Sequence, residues 1–226
     1  MTDRMQRTRP RLATRRLVLR PLRPRHAVEV FDAIVESRRS LGRWLPFVQS
    51  TRAASDTEVF IRRASRSEHD IVWGIWRLPS EPAGVGPAGN RRRLGRIAAG
   101  GESYCGSVGL HRILREQAVG TLGYWNRRRC EGQGIVTEAV AAVILWAAGP
   151  LGLERIAVEA ATGNAASLRV IEKLGFVREG VLRDAQRIPG RRARVDWVIS
   201  SLVRADLSRV RPGLVRLCGT PRPWEG

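Results

Sequence analysis

The chain has 226 residues, 43% of them hydrophobic, which suits one domain with short trimmings and supplies enough apolar side chain for a real core. Its formal net charge is +19, and because Lys173 is the one lysine, 39 of the 40 basic residues are arginine. A field that positive attracts polyanions, phosphate-bearing ligands and RNA among them, whereas the longest apolar run, Ala139 to Ala148, is about half of what a membrane span needs.

Residues 1–11 read as a loose basic tail. Leu17 to Leu22 is a first strand that Pro21 suits only near an end. A helix follows from about Arg25 to Glu36, with Ala27, Val28, Val30, Phe31, Ile34 and Val35 forming one broad apolar face. Trp44 to Phe47 is an aromatic loop. Ser55 with Glu58 three residues on makes a capping box, and predicts a helix to about Glu68. Ile71 to Trp76 is a strand. Residues 79–93 are rich in proline, glycine and arginine and read as a mobile hairpin insertion within the domain. Arg96 to Ala99, Tyr104 to His111 and Ala118 to Trp125 continue the strands.

Ile135 to Ala148 is a helix apolar on nearly every face, stopped by Gly149-Pro150, and should be buried against a sheet. Arg155 to Ala161 is a buried strand. Asn164 caps the next helix, which ends at Leu174 with Gly175 as left-handed terminator. Phe176 to Leu182 and Ala193 to Val203 close the strand series, and 204–226 is a short helix plus tail. Early antiparallel strands followed by a strand–helix–strand–helix–strand run predict a mixed α/β sheet.

The chemistry concentrates between strand and buried helix, where Gly132-Gln133-Gly134 makes a tight turn. Such a turn aims several backbone N–H groups at one point ahead of a helix N-terminus, a site for phosphate, and the arginines before it add positive charge. A dinucleotide fingerprint would need glycine where Thr137 stands, and a P-loop would need a lysine the segment lacks. Three cysteines, Cys105, Cys130 and Cys218, are odd in number and widely spaced, which argues against a disulfide or zinc scaffold and for a reducing compartment. His26, His69 and His111 have no ligand spacing, so no metal is expected. With no apolar leader segment, the expected location is the cytoplasm.

Arg129-Cys-Glu-Gly132-Gln-Gly134 resembles the acetyl-CoA-binding turn of the GNAT N-acetyltransferases. Gly123-Tyr-Trp before it and Ile135-Val-Thr-Glu-Ala139 after it resemble the RimJ/RimL branch, which acetylates protein N-termini. A second likeness runs from Asn164 to Phe176 and on to Glu179-Gly180, and a third from Thr14 to Leu22, so the resemblance covers residues 12–203. Glu131 and Val136 depart from the family pattern. The resemblance implies the GNAT acyl-CoA N-acyltransferase fold, a central, mostly antiparallel sheet flanked by helices. It implies acetyl-CoA as co-substrate, held by Tyr124, Trp125, Asn126, Arg129, Gly132, Gln133, Gly134, Val136, Thr137 and Asn164.

Trp44 and Phe47 would wall the acceptor pocket, and Ser167 would meet the leaving thiolate. Some relatives carry a base at the position of Gln186, which cannot accept a proton, and another group carries it at the position of Glu159, so Glu159 is the candidate base. The implied acceptor is a primary amine, foremost the N-terminal amine of a protein such as a ribosomal protein. Small antibiotics or polyamines, or a non-catalytic CoA- or RNA-binding role, are the alternatives. The basic surface allows ribosome or RNA association, no membrane partner is expected, and a homodimer is compatible with the sequence.

Overall fold

The computed structural model describes residues 9–79, 102–188 and 193–223. The 79–93 insertion beyond its first residue, the Arg96–Ala99 strand and most of the basic tail lie outside the described residues. The strands in chain order are β1 (Leu12–Ala13), β2 (Leu17–Pro21), β3 (Ile71–Arg77), β4 (Ser103–Leu114), β5 (Val119–Asn126), β6 (Arg155–Ala161), β7 (Val177–Gln186), β8 (Val195–Val203) and β9 (Arg222–Pro223). The helices are α1 (Ala27–Leu41), the single turn α2 (Phe47–Ser50), α3 (Ala54–Arg66), α4 (Ile135–Ala148), α5 (Ala165–Lys173) and α6 (Arg204–Cys218).

Among the described residues the nine strands join one sheet in the order β7-β8-β6-β5-β4-β3-β2-β1-β9, and every pairing is antiparallel except β5 with β6. Helices cover both faces. α4 is buried from Ile135 to Ala147, so a helix with no polar face lies wholly inside, against Leu17, Leu19, Trp73, Val108, Leu110 and Ile156. α5 and α6 add Ile171, Leu174, Leu214 and Cys218 to that core. On the opposite face α1 and α3 pack Val30, Ala33, Ile34 and Ile61 over Val72, Trp76 and Tyr104. No helix among the described residues is long and apolar enough to cross a membrane.

Three local expectations change. α1 continues to Leu41, because Ser37 and Leu41 are themselves buried and extend its inner face. α3 is capped by Asp56, whose carboxylate accepts the N–H groups of Arg52 at 2.7 Å and Ala53 at 2.9 Å. Glu58 instead reaches Arg62 one turn on, so Ser55 and Glu58 form no capping box. The C-terminal stretch is also more ordered than a short helix plus tail: α6 runs for 15 residues, and β9 pairs with β1, Leu12 opposite Pro223.

On β7 the Glu179 carboxylate receives both Arg155 guanidinium nitrogens, at 2.7 and 2.6 Å, and the Ser201 hydroxyl at 2.7 Å. These bonds, Arg155 foremost, hold its carboxyl down to about 2. A depressed carboxyl stabilises the fold above its unfolded value of about 4.5 and loses that contribution as pH falls toward the folded value. The stability gap between the unmodified chain and Glu179→Gln, read by urea denaturation, should therefore be constant above about pH 5 and close on acidification toward pH 2.

Candidate active site

The parallel ladder between β5 and β6 runs from Val119 opposite Arg155 to Leu122 opposite Val158 and stops there. β5 continues to Asn126, still paired with β4, and β6 continues to Ala161, still paired with β8. The two strands therefore splay, and the edge of β5 that faces β6 has no ladder partner beyond Leu122. A cavity of about 600 Å³ opens in the wedge. Its lining comes from the end of α1 and the following turn (Ser40, Leu41, Trp44), from both strands (Gly123 to Asn126, Val158 to Ala161), and from the first turns of α4 and α5.

At one end Gly132 and Gly134 both adopt left-handed backbone, φ 72° and 73°, a conformation that glycine takes without steric cost. Gly134 is the N-cap of α4 with no side chain to cap it, and the first helical bond is Glu138 N–H to Gly134 O at 3.0 Å. The N–H groups of Ile135, Val136 and Thr137 consequently have no acceptor within the helix, and all three residues line the cavity. Amides left free in this way can hold an anion. Arg169 and Lys173, one helical turn apart on α5, line the same cavity, and no carboxylate pairs with either among the described residues.

Two of the residues expected at this end lie outside the cavity lining. Gln133 folds back onto its own loop, its Nε2 donating to Arg129 O at 2.7 Å and its Oε1 accepting from Arg77, and Arg129 points to the exterior. The arginine run works partly as structure as well: Arg127 donates to Glu36 Oε2 of α1 at 2.6 Å and holds that carboxyl below its usual range. Behind the turn, the buried Glu138 accepts from Thr14 Oγ1 at 2.6 Å, Arg16 Nε at 2.7 Å and Arg16 N at 3.2 Å, and Arg16 also reaches Gln133 O at 3.3 Å. Nothing in the local sequence around Glu138 announces a partner in the loop before β2.

At the other end Asn164 Oδ1 accepts the Ser167 N–H at 3.2 Å, the expected cap of α5. Ser167 Oγ lies 2.9 Å from the Tyr124 hydroxyl. Burial pushes that phenol up to about 12, against the pull of its bond to Ser167. Glu159 lines the cavity from β6 and accepts from Arg112 Nη2 at 2.8 Å. Arg112 sits at an irregularity of β4 with φ 51°, a left-handed non-glycine residue that no local sequence signal announces.

Asn126 donates through Nδ2 to Cys130 O at 2.9 Å, while its buried Oδ1 has no partner among the described residues. Trp44 lies over Gly163, where an added Cβ would meet its ring at 3.2 Å. Phe47 is not part of the lining: it opens α2 with 40% of its surface exposed, so the expectation that it walls the pocket does not hold. Gln186, paired with Val195 at the end of β7, is outside it too. Cys130 sits 2.8 Å from Cys105, and burial raises its thiol to about 12, the environment of an inert neighbour to the turn. Among the described residues no group of His, Cys, Asp and Glu could hold a metal.

The acetyltransferase (GNAT) domain matches residues 16–177. The chain is 29% identical over 190 residues, 84% of its length and 92% of the relative's, to YdaF of Bacillus subtilis, whose name carries a provisional ribosomal N-acetyltransferase assignment. In structure it is similar to Mycobacterium smegmatis RimJ in complex with CoA-disulfide, with a TM-score of 0.71, 20% identity and 95% of each chain covered. A ribosomal L7/L12 alpha-N-protein acetyltransferase, RimL, in complex with coenzyme A matches with a TM-score of 0.70 and 16% identity, over 86% of this chain and 97% of the other. With the domain matched from residue 16 to residue 177, this chain belongs to the GNAT acetyltransferase family.

Proposed function

We propose that the chain transfers the acetyl group of acetyl-CoA to the N-terminal amine of a protein, a ribosomal protein foremost. The observation that carries this reading is the joining, in one cavity, of a splayed parallel strand pair and an uncapped helix N-terminus. The residues suit acetyl-CoA: the amides of 135–137 with Arg169 and Lys173 meet its phosphates, and the open edge of β5 at Tyr124 to Asn126 meets the amides of its pantetheine arm. Asn126 Oδ1, left without a donor, fits the same arm. When bound, acetyl-CoA supplies an activated thioester. An N–H of β5 facing the thioester oxygen would stabilise the charge that develops there.

Glu159 is proposed to accept the amine proton, directly or through water, with Arg112 fixing the carboxylate's direction. Trp44 forms the acceptor-side wall. The names of the relatives support a ribosomal-protein acceptor, and the +19 charge favours an acidic or RNA-associated partner. Free cysteines and those same relatives support a cytoplasmic location.

The test is thiol release from acetyl-CoA, screened with mass detection against N-terminal peptides, aminoglycosides and polyamines. Turnover confined to peptides supports the reading, and turnover confined to the small amines overturns its acceptor. Glu159→Gln should lower kcat by roughly 100-fold and flatten its rise between about pH 6 and 9. Unchanged turnover across that range would remove Glu159 from the chemistry.

A further inference from the structure

Ser167 stands in the first turn of α5, where a serine hydroxyl ordinarily turns back onto local backbone. Here its neighbour is a side chain 43 residues earlier in the sequence. The Tyr124 hydroxyl is 2.9 Å from Ser167 Oγ and 3.3 Å from Ser167 O, and the backbone of the same serine is fixed from its other side by Asn164 Oδ1. Both Tyr124 and Ser167 line the cavity at the point where β5 leaves β6. Tyr124 is anchored in turn by its pairing with Val108 on β4 and by packing against the core beneath α4. Both oxygens of Ser167 can accept the phenol's one proton, and the hydroxyl is the nearer of the two, at 2.9 Å against 3.3 Å for the carbonyl. A hydroxyl that accepts through a lone pair keeps its own O–H free to turn elsewhere.

We propose that Tyr124 is a positioning residue for acetyl transfer: its O–H donates to Ser167 Oγ and so directs the serine O–H into the cavity, toward the sulfur that departs from the acetyl carbon. The inference rests on the acetyl-transfer reading of this site. In the step it serves, the amine nitrogen forms its bond to the acetyl carbon, the carbon–sulfur bond breaks, and the electron pair goes to sulfur. The amine proton leaves to Glu159 or water, and the thiolate collects a proton from solvent. Neither Tyr124 nor Ser167 gives up a proton; they supply a chain of two hydrogen bonds that ends on the developing thiolate and is strengthened by its charge. The buried phenol, which resists ionisation, suits a donor that keeps its proton.

A double-mutant cycle tests the arrangement. Tyr124→Phe keeps the ring and removes one hydroxyl, and should lower kcat by roughly 3–10-fold, the worth of one hydrogen bond. The acetyl-CoA dissociation constant from calorimetry should change by less than about twofold. Ser167→Ala should lower kcat by about as much or more, and adding Tyr124→Phe to it should cost nothing further. In Ser167→Thr, which keeps a hydroxyl, the Tyr124→Phe loss should reappear. Losses that multiply in the Tyr124→Phe/Ser167→Ala enzyme, or a Tyr124→Phe effect confined to acetyl-CoA binding, would overturn the proposal while leaving acetyl transfer intact. An unmodified enzyme that binds acetyl-CoA and acetylates none of the amines screened would overturn the function itself, and this inference with it.

Discussion

Gly134→Val is expected to weaken acetyl-CoA binding by about 100-fold or more in a chain that still folds. Gly134 is the last residue before α4, at φ 73°, and its conformation decides where the N–H groups of Ile135, Val136 and Thr137 point. A β-branched side chain in left-handed backbone costs about 1–2 kcal/mol, and the turn relieves that strain by rotating away from it. Two misdirected hydrogen bonds to a charged phosphate, each worth about 1.5–3 kcal/mol, give the stated loss. Gly152 supplies the control. It has φ 77°, a Cβ there would meet nothing within 4 Å, and it lies outside the wedge cavity. Gly152→Val should therefore show the same strain in its urea midpoint with acetyl-CoA affinity unchanged. Equal affinity in the two variants, measured by calorimetry, would mean that the turn is not the phosphate site.

The elements that could be read from the sequence are those whose limits are written locally. α4 begins and ends where Gly134 and Gly149 place it, because a helix apolar on all sides needs only its two glycine boundaries to be located. α5 likewise follows from Asn164 and Gly175. β9 was not legible, since two residues carry no period and its partner β1 is more than 200 residues away in the chain. The α3 cap was misread because Ser55 and Asp56 are adjacent and both can cap, and only the path of the loop decides between them.

The same division runs through the site. The left-handed backbone at Gly132 and Gly134 is a matter of residue type and spacing, and the turn itself was legible. The places of Arg129, Gln133 and Phe47 depend on where a side chain turns, and all three lie outside the cavity lining. Tyr124 with Ser167, Arg112 with Glu159 and Arg16 with Glu138 are pairs made by the sheet, 43, 47 and 122 residues apart, so no local pattern could find them. Arg169 and Lys173 did leave a signal, two cations four residues apart on the helix that Asn164 begins.

Removing the guanidinium from Arg16 should destabilise the fold by roughly 2–4 kcal/mol, since breaking one side of a buried ion pair leaves the other uncompensated. The Glu138 side chain is only 4% exposed, and Arg16 supplies two of its shortest bonds, Nε at 2.7 Å and Nη2 at 2.6 Å. Arg16 itself is 53% exposed, so water can reach part of the site and the loss falls short of that for a fully enclosed pair. Arg16→Met/Glu138→Leu removes both charges and should recover at least half of the lost stability, because apolar replacement of such a pair is commonly neutral. Affinity should not recover with it. Arg16 is also the residue that joins the loop before β2 to Gln133 O in the turn, and neither variant restores that contact. Both should bind acetyl-CoA about 2–10-fold more weakly than the unmodified chain, the loss of one hydrogen bond behind the turn. Urea midpoints that recover while calorimetric affinities stay low would separate the two duties of Arg16: neutralising a buried carboxylate, and bracing the turn ahead of α4. If affinity returned together with stability, the contact with Gln133 would have no part in holding the turn.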